Sequence, residues 1–232
     1  MTQTPIKIYG VPFSVHTRKV IVAARLKAIP YEVVPIAPVN PATLPPTWRS
    51  ISPTGLIPVI DDGGFMLTDS TAIALYLERK VPIPALLPID LKPYASALAI
   101  DAWAGSELFR RVVHPIFHNQ VVAPRIKQQP GDKTAIDTAV NSAAPEAFAY
   151  LESILHGAFL IDAKLSIADL AVVSNLIVFN YLGYRIDAAR FPKLAAYFGA
   201  HLESPVLAAT LHDEKAIVTG LELDTSFLPN LA

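Results

Sequence analysis

The chain has 232 residues, of which 52% are hydrophobic and 17% charged, and its formal net charge is −1. This composition excludes an intrinsically disordered chain, and the balance of 19 basic and 20 acidic residues argues against nucleic acid as the main partner. The absence of cysteine excludes disulfides, thiolate metal sites and a cysteine nucleophile.

The mean hydropathy of +0.40 makes a membrane segment the first alternative to test. The most apolar stretch, residues 165–182, is interrupted by Asp169, Asn175 and Asn180, so it lacks the uncharged run that a spanning helix needs. We therefore predict no membrane partner, and instead a helix buried on most sides or apolar surface covered by a second subunit. No basic region precedes an apolar core at the N-terminus, and we expect a cytoplasmic protein.

The first third of the chain alternates strand-like runs with helical patterns. Strand, helix and strand follow one another within about thirty residues, which is typical of a βαβ unit with a parallel pair. The turn sequence DDGG further along predicts a hairpin. The predicted elements are strands at 6–9, 31–34, 57–60 and 65–67 and helices at 15–28, 44–49 and 72–80.

No strand-like alternation follows the proline-rich segment 82–93. Helical patterns separated by proline and glycine predict an all-helical remainder. We expect an α/β domain at 1–82 and an all-α domain at 90–232. The predicted helices of the second domain are 91–122, 135–156, 166–182 and 191–201.

Two motifs in the first domain have two possible interpretations each: a site that binds a ligand, or a feature with a structural role alone. A cis bond at Ile57-Pro58 would leave a backbone N–H and C=O free to pair with the main chain of a ligand, whereas a trans proline would simply start a strand. Asp69 and Ser70 stand where a helix begins, and a helix N-terminus binds anions, although simple capping has the same pattern.

A third motif places Ser14 between the first strand and the first helix. A hydroxyl at a helix N-terminus can donate to a thiolate, which the helix dipole also stabilises, or it can cap the helix. Ser166 and Asp169 have the spacing of a capping box, and we assign them to folding.

Four segments together resemble the glutathione transferase superfamily over nearly the whole chain. The first looks most like the serine-type classes, especially the phi-like ones. The resemblance implies a thioredoxin-like α/β domain followed by an all-α helical domain, a homodimer, and glutathione as co-substrate without a metal. The segments are 8–20 (IYGVPFSVHTRKV), 52–60 (SPTGLIPVI), 67–77 (LTDSTAIALYL) and 165–170 (LSIADL).

The resemblance also implies roles for these motifs. In that family the proline that matches Pro58 is cis, and the residue that matches Ile57 pairs through its backbone with the cysteinyl part of glutathione. The residues that match Asp69 and Ser70 hold the γ-glutamyl end, and the serine that matches Ser14 activates the thiol. Two other hydroxyls, those of Tyr9 and Thr17, remain alternatives to Ser14.

Three positions depart from the family pattern. Leu56 stands where many members have Gln, Lys or Arg, and Thr43 and Leu44 align with positions at which phi-like members carry basic residues for the glycine carboxylate. Glutathione binding would then be weak, or that carboxylate would meet water or another cation such as Arg49.

A hydrophobic electrophile is expected to bind between the domains. Its candidate contacts come from the first loop and from the first long helix of the second domain. His114 and His118 have the i, i+4 spacing of metal ligands, but no third ligand is apparent and we predict no metal site. The candidate contacts are Val11, Phe13, Trp103, Arg110, His114 and Phe117.

Two functions from different classes follow. The first is an enzyme that adds the glutathione thiolate to an electrophile, or reduces a peroxide with it. The second is a non-catalytic member that keeps the fold as a binding protein. In a homodimer we expect Asp101 to reach the γ-glutamyl amine bound by the partner subunit, as a similarly placed acid does in several classes.

Overall fold

The computed structural model describes residues 4–41 and 44–229. A four-stranded sheet has the order β2-β1-β3-β4, with β1 parallel to β2 and antiparallel to β3. Gly63 and Gly64, at φ +64° and +97°, form the turn between β3 and β4, where glycine avoids the clash of a side chain. The strands are β1 Ile6–Gly10, β2 Tyr31–Pro35, β3 Val59–Asp62 and β4 Phe65–Thr68.

Helices α1 to α3 pack with the sheet, and the rest of the described chain is helical. Two long segments, α4 and α5, contain π-helical turns. The helices are α1 Val15–Leu26, α2 Trp48–Ile51, α3 Ser70–Lys80, α4 91–126, α5 133–154, α6 Ile167–Tyr181, α7 Pro192–Leu202 and α8 Pro205–Gly220. The π-helical parts are Ala104–Val113 and His118–Ile126 of α4 and Ala139–Ala143 of α5.

Helix α6 is the buried axis of the structure. All of its residues are buried, and it packs against both α1 and α4. The predicted capping box is confirmed: Asp169 Oδ2 accepts from the Ser166 N–H at 2.8 Å, and Oδ1 accepts from the Leu160 N–H at 2.9 Å. Because each oxygen is bonded, this buried carboxylate fixes both the start of α6 and the segment that leads into it.

The predicted order of strands and helices is confirmed, with shifts at several ends. The third strand begins at Val59, since Ile57 and Pro58 lie outside its pairing. The short helix lies at Trp48–Ile51 rather than 44–49. Helix α8 was not predicted, because its buried stripe of Leu207, Leu211 and Val218 also contains the fully buried Glu214.

Candidate functional site

A cavity of about 570 Å³ lies between the sheet-bearing part and the helical part. Its walls come from the β1–α1 loop, residues 37–39, Leu56 and Ile57, one face of α4, and the end of α8. Every titratable side chain among its described lining residues is a histidine, and the other residues are almost all apolar. The cavity therefore suits an uncharged hydrophobic molecule.

Ser14 lies on this cavity as the N-cap residue of α1. Its backbone has the extended N-cap conformation, yet its side chain makes no capping hydrogen bond. Within residues 4–41 and 44–229 the hydroxyl has no protein partner. A free hydroxyl beside unpaired helix N–H groups is an arrangement that stabilises an anion.

The Ile57–Pro58 peptide bond is cis, as the resemblance implies. Ile57 lines the cavity just before β3, whose register with β1 and β4 begins at Val59. The backbone of Ile57 is thus next to the sheet but outside its ladder, where it is available to an extended ligand.

Asp69 caps α3 through one carboxylate oxygen. Oδ1 accepts from the N–H groups of Thr71 and Ala72, both at 2.9 Å, while the backbone adopts φ +74°. In the described part of the chain Oδ2 has no hydrogen-bond partner. One exposed carboxylate oxygen therefore remains for a cation, beside the N-terminus of α3.

Ser70 brings the beginnings of α1 and α3 together. Its Oγ lies 3.5 Å from Nδ1 of His16, in the first turn of α1. Burial lowers the pKa of His16 to about 4; Lys19 acts in the same direction, and Asp69 and Asp101 oppose it. His16 is therefore neutral at pH 7, and each of its nitrogens can take only one hydrogen-bonding role.

Asp101 is placed differently from the prediction. Its side chain is fully buried in its own chain, where Oδ1 forms an ion pair with Lys19 at 2.5 Å and Oδ2 accepts from the Thr71 hydroxyl at 2.5 Å. A carboxylate enclosed in this way has no surface with which to reach a partner subunit. Its role is to neutralise Lys19 beneath the start of α3.

Four of the six candidate contacts for a hydrophobic substrate line the cavity: Val11, Phe13, His114 and Phe117. Trp103 instead packs edge-on against Tyr150 beside a separate small cavity. Arg110 is exposed and pairs with Glu107 one turn before it. These two candidates therefore do not line this cavity.

The alternative hydroxyls do not lie on the cavity. Tyr9 packs against Trp48 in a small second core. Thr17 is fully buried, and a Cβ added to Gly10 would lie only 2.5 Å from its Oγ1. Glycine at position 10 thus allows α1 to approach β1, and Thr17 contributes to packing.

The positions that depart from the family pattern have different surroundings. Leu44 belongs to the core around Trp48, and Leu56 is 64% exposed at the cavity. Arg49 is exposed and donates to the Pro53 carbonyl at 3.3 Å. Thr43 lies outside the described residues.

Apart from further residues of α4 and Val178 of α6, sequence reasoning missed three contributors to the cavity: His16, residues 37–39, and the end of α8 from Ala216 to Leu221. His16 carried a signal, since it lies two positions after Ser14 in the first turn of a helix. The other two carry no local motif. They are brought to the cavity by tertiary contacts alone.

The β1–α1 loop is fixed from the protein interior by the side chain of Arg18. This buried guanidinium donates to the Phe13 carbonyl at 3.0 Å, the Ser174 carbonyl at 2.9 Å and both carboxylate oxygens of Glu214 at 2.7 Å. One side chain therefore joins the loop before Ser14 to helices α6 and α8.

Within residues 4–41 and 44–229, no group of three or more potential metal ligands occurs. In the same part of the chain, every helix is too short or too polar to span a bilayer.

Comparisons with known proteins agree with this arrangement. Residues 8–85 match the profile of the glutathione S-transferase N-terminal domain, and residues 116–214 match that of the C-terminal domain. A glutathione S-transferase of Triticum aestivum is 28% identical over 215 residues, covering 90% of this chain and 94% of its own. A maleylpyruvate isomerase of a Ralstonia species is 25% identical over 196 residues. The alignment covers 82% of this chain and 89% of the isomerase.

A solved structure is similar over nearly the full length. The human glutathione S-transferase T1-1 in its apo form superposes with a TM-score of 0.81 at 25% identity, covering 97% of this chain and 92% of its own. The sheet with its helices, the helical remainder and both family profiles define one class of protein. The chain belongs to the glutathione S-transferase family.

Proposed function

We propose that this protein is a glutathione transferase that adds the glutathione thiolate to a hydrophobic electrophile. The observation that carries this proposal is the unpaired Ser14 hydroxyl at the N-terminus of α1, directed at an apolar cavity. Peroxide reduction by the same thiolate is the closest variant of this chemistry.

Glutathione would be held by groups at the N-terminus of α3 and by the backbone before β3. The γ-glutamyl carboxylate fits the N-terminus of α3 with the Ser70 hydroxyl, and the ammonium fits the free oxygen of Asp69. The cysteinyl main chain fits the backbone of Ile57, beside the cis bond to Pro58. In this arrangement the sulfur would lie in the part of the cavity that contains Ser14.

The enzyme would act by lowering the pKa of the thiol and by placing it beside the second substrate. A free thiol has a pKa of about 8.5, so only a few per cent is thiolate at neutral pH. A hydrogen bond to a charged group contributes about 1.5–3 kcal/mol, and each pH unit corresponds to about 1.4 kcal/mol. The Ser14 hydroxyl could therefore lower the thiol pKa by about one to two pH units.

The test is the thiolate absorbance of bound glutathione as a function of pH, in wild type, Ser14→Ala and Thr17→Ala. Ser14→Ala should raise the bound-thiol pKa towards its solution value, reduce turnover at neutral pH and leave affinity nearly unchanged. Thr17→Ala is the matched control, because its hydroxyl lies inside the core. An unchanged titration curve in Ser14→Ala would refute the serine mechanism.

The non-catalytic alternative has one observation in its favour. Leu44 and Leu56 offer no positive charge to the glycine carboxylate, so affinity for glutathione could be low. The same titration decides between the two functions, because a binding protein would hold glutathione without lowering the pKa of its thiol.

We also propose a homodimer. Phe65 and Met66, on the edge strand β4, are 51% and 37% exposed, and a second subunit would cover them. Light scattering at micromolar concentration should give twice the mass of the chain, and a monomer would contradict the proposal.

A further inference from the structure

The beginnings of helices α1 and α3 lie side by side and meet through two pairs of side chains. Nδ1 of His16 lies 3.5 Å from Oγ of Ser70, and Nζ of Lys19 donates to Oγ1 of Thr71 at 3.0 Å. His16 and Lys19 are three positions apart and therefore share one face of α1. Adjacent residues of α3 thus meet side chains that are one turn apart on α1.

The pair formed by Lys19 is enclosed and already satisfied. Lys19 forms an ion pair with Asp101 at 2.5 Å, and Asp101 also accepts from the Thr71 hydroxyl at 2.5 Å. Lys19 and Asp101 are both buried. These contacts fix the spacing of the two helices but leave no group of theirs for a ligand.

The ring of His16 is held on another side by α4. Its centroid lies 4.8 Å from that of Phe109, in an edge-to-face arrangement. A Cβ added to Gly105 would lie 3.7 Å from Cε1 of His16, an ordinary van der Waals distance, so the ring lies against this glycine. The imidazole is therefore confined between α4 and the start of α3.

The N-terminus of α3 keeps two donors for an anion, and both belong to Ser70. Asp69 Oδ1 accepts from the N–H groups of Thr71 and Ala72, and the Asp69 carbonyl accepts from the Ile73 N–H at 2.9 Å. Among the residues that the structure describes, the Ser70 N–H has no partner and the Ser70 hydroxyl meets only the imidazole. Binding of a carboxylate here therefore depends on where the hydroxyl proton points.

The position of the proton on His16 decides that direction. Burial lowers the pKa of His16 to about 4, so the ring is neutral at pH 7 and has one N–H. If Nδ1 lacks the proton, it accepts from the Ser70 hydroxyl, and a ligand loses one of the two donors. If Nδ1 carries the proton, it donates to Oγ and leaves the hydroxyl proton to the ligand.

The free protein does not commit the Ser70 hydroxyl to either arrangement. Its distance of 3.5 Å from Nδ1 is longer than an ordinary hydrogen bond, so this contact is weak before a ligand binds. A bound carboxylate accepts from the hydroxyl and has no proton to offer. It therefore favours the form of His16 that has its proton on Nδ1.

We propose that His16 is a positioning residue for glutathione: its Nδ1–H donates to Oγ of Ser70, and the Ser70 hydroxyl donates in turn to the γ-glutamyl carboxylate. This inference rests on the proposed function and adds a residue to the same glutathione site. Consecutive hydrogen bonds polarise one another, so the donation from His16 strengthens the bond to the carboxylate.

The experiment measures the dissociation constants of two peptides by calorimetry. The first is glutathione, and the second is 4-aminobutanoyl-cysteinylglycine, which lacks only the γ-glutamyl carboxylate. His16→Phe keeps a ring beside Phe109 and removes the donor. We expect this variant to bind glutathione about 3- to 10-fold more weakly, as for loss of one neutral hydrogen bond, with less than about a twofold change for the truncated peptide.

Two further variants sharpen the comparison. His16→Asn places an amide N–H near the position of Nδ1 and should recover most of the affinity for glutathione. His212→Phe changes an exposed histidine of α8 and should bind both peptides as wild type does. Equal losses for the two peptides in His16→Phe, or no loss for glutathione, would overturn the inference.

Nitrogen-15 NMR reads the ring directly, because protonated and unprotonated imidazole nitrogens have well-separated chemical shifts. The signals of His16 are assigned by their absence in His16→Asn. With saturating glutathione at pH 7, the proton should be on Nδ1 alone, a result that a purely structural role would not require. A proton on Nε2 alone, or on both nitrogens, would overturn the inference.

The wild-type protein separates this inference from the proposed function. If glutathione and the truncated peptide bind equally tightly, the carboxylate is not held at α3 and the inference fails, while the thiol titration with Ser14→Ala still decides the transferase proposal. If glutathione does not bind at all, the proposed function itself fails.

Discussion

Arg18 and Glu214 lie 196 positions apart in the sequence, yet their side chains form a two-pronged ion pair that is completely buried. Arg18 belongs to the first helix and Glu214 to the last. Since Arg18 also binds the carbonyl of Phe13, the last helix contributes directly to the geometry of the loop that carries Ser14.

Glu214→Gln should therefore destabilise the protein by about 3–5 kcal/mol, because Arg18 would remain charged and buried without a counterion. Urea denaturation measures the change. The matched control is Glu146→Gln, which removes the exposed partner of Arg111 and should cost less than about 1 kcal/mol. Equal losses in the free energy of unfolding would show that the buried ion pair stabilises the fold no more than the exposed one.

Gly10→Ala should destabilise the protein by about 1–3 kcal/mol through overpacking. The new Cβ would lie 2.5 Å from Oγ1 and 2.9 Å from Cγ2 of Thr17, so α1 would have to move away from β1. Thr17→Ala removes both atoms and should recover much of the loss in the double variant. Additive losses in thermal unfolding would contradict this explanation.

Asp69→Asn should weaken glutathione binding at least about 10-fold with little change in stability. Asparagine keeps an oxygen for the N–H groups of Thr71 and Ala72 and tolerates positive φ, but it loses the charge that would pair with the ammonium. Asp132→Asn is the control, because Asp132 caps α5 in the same way through Ala135. If calorimetry showed that both variants bind glutathione as tightly as wild type, the assignment of Asp69 to the ammonium group would be wrong.

Acid should destabilise the protein through His16. Its folded-state pKa of about 4 lies below the unfolded value near 6.5, so between these values the unfolded chain binds the additional proton. Stability should fall as the pH drops through this window, by up to about 1.4 kcal/mol per pH unit from this residue. His16→Gln should flatten the dependence in urea titrations, with His212→Gln as the exposed control. An unchanged slope in His16→Gln would contradict the assignment.

Local sequence signals were sufficient for the sheet-bearing part of the fold. Gly10 ends β1, the DDGG turn joins β3 to β4, and a capping box starts α6. The cis bond at Pro58 followed from the resemblance, while position alone left cis and trans open.

The residues that face the cavity were harder to predict. Trp103 and Arg110 were chosen from a helix whose cavity-facing side cannot be fixed from sequence, and neither lines the cavity. Asp101 was expected to serve a partner subunit because a similarly placed acid does so in several classes, and its ion pair with Lys19 has no signature in the sequence. Helix α8 was missed since Glu214 resembles a surface residue until Arg18, from the other end of the chain, is seen beside it.

The π-helical part Ala104–Val113 makes the wall of the cavity sensitive to where α4 gains or loses a residue. A π-helix closes its hydrogen bonds from i to i+5, one residue more than an α-helix. Deleting one residue between Phe109 and His114 would let this turn close as an α-helix with the two rings four positions apart, which is still about the same face. The same deletion in the α-helical part His114–Phe117 would instead turn all the residues that follow it by about 100°.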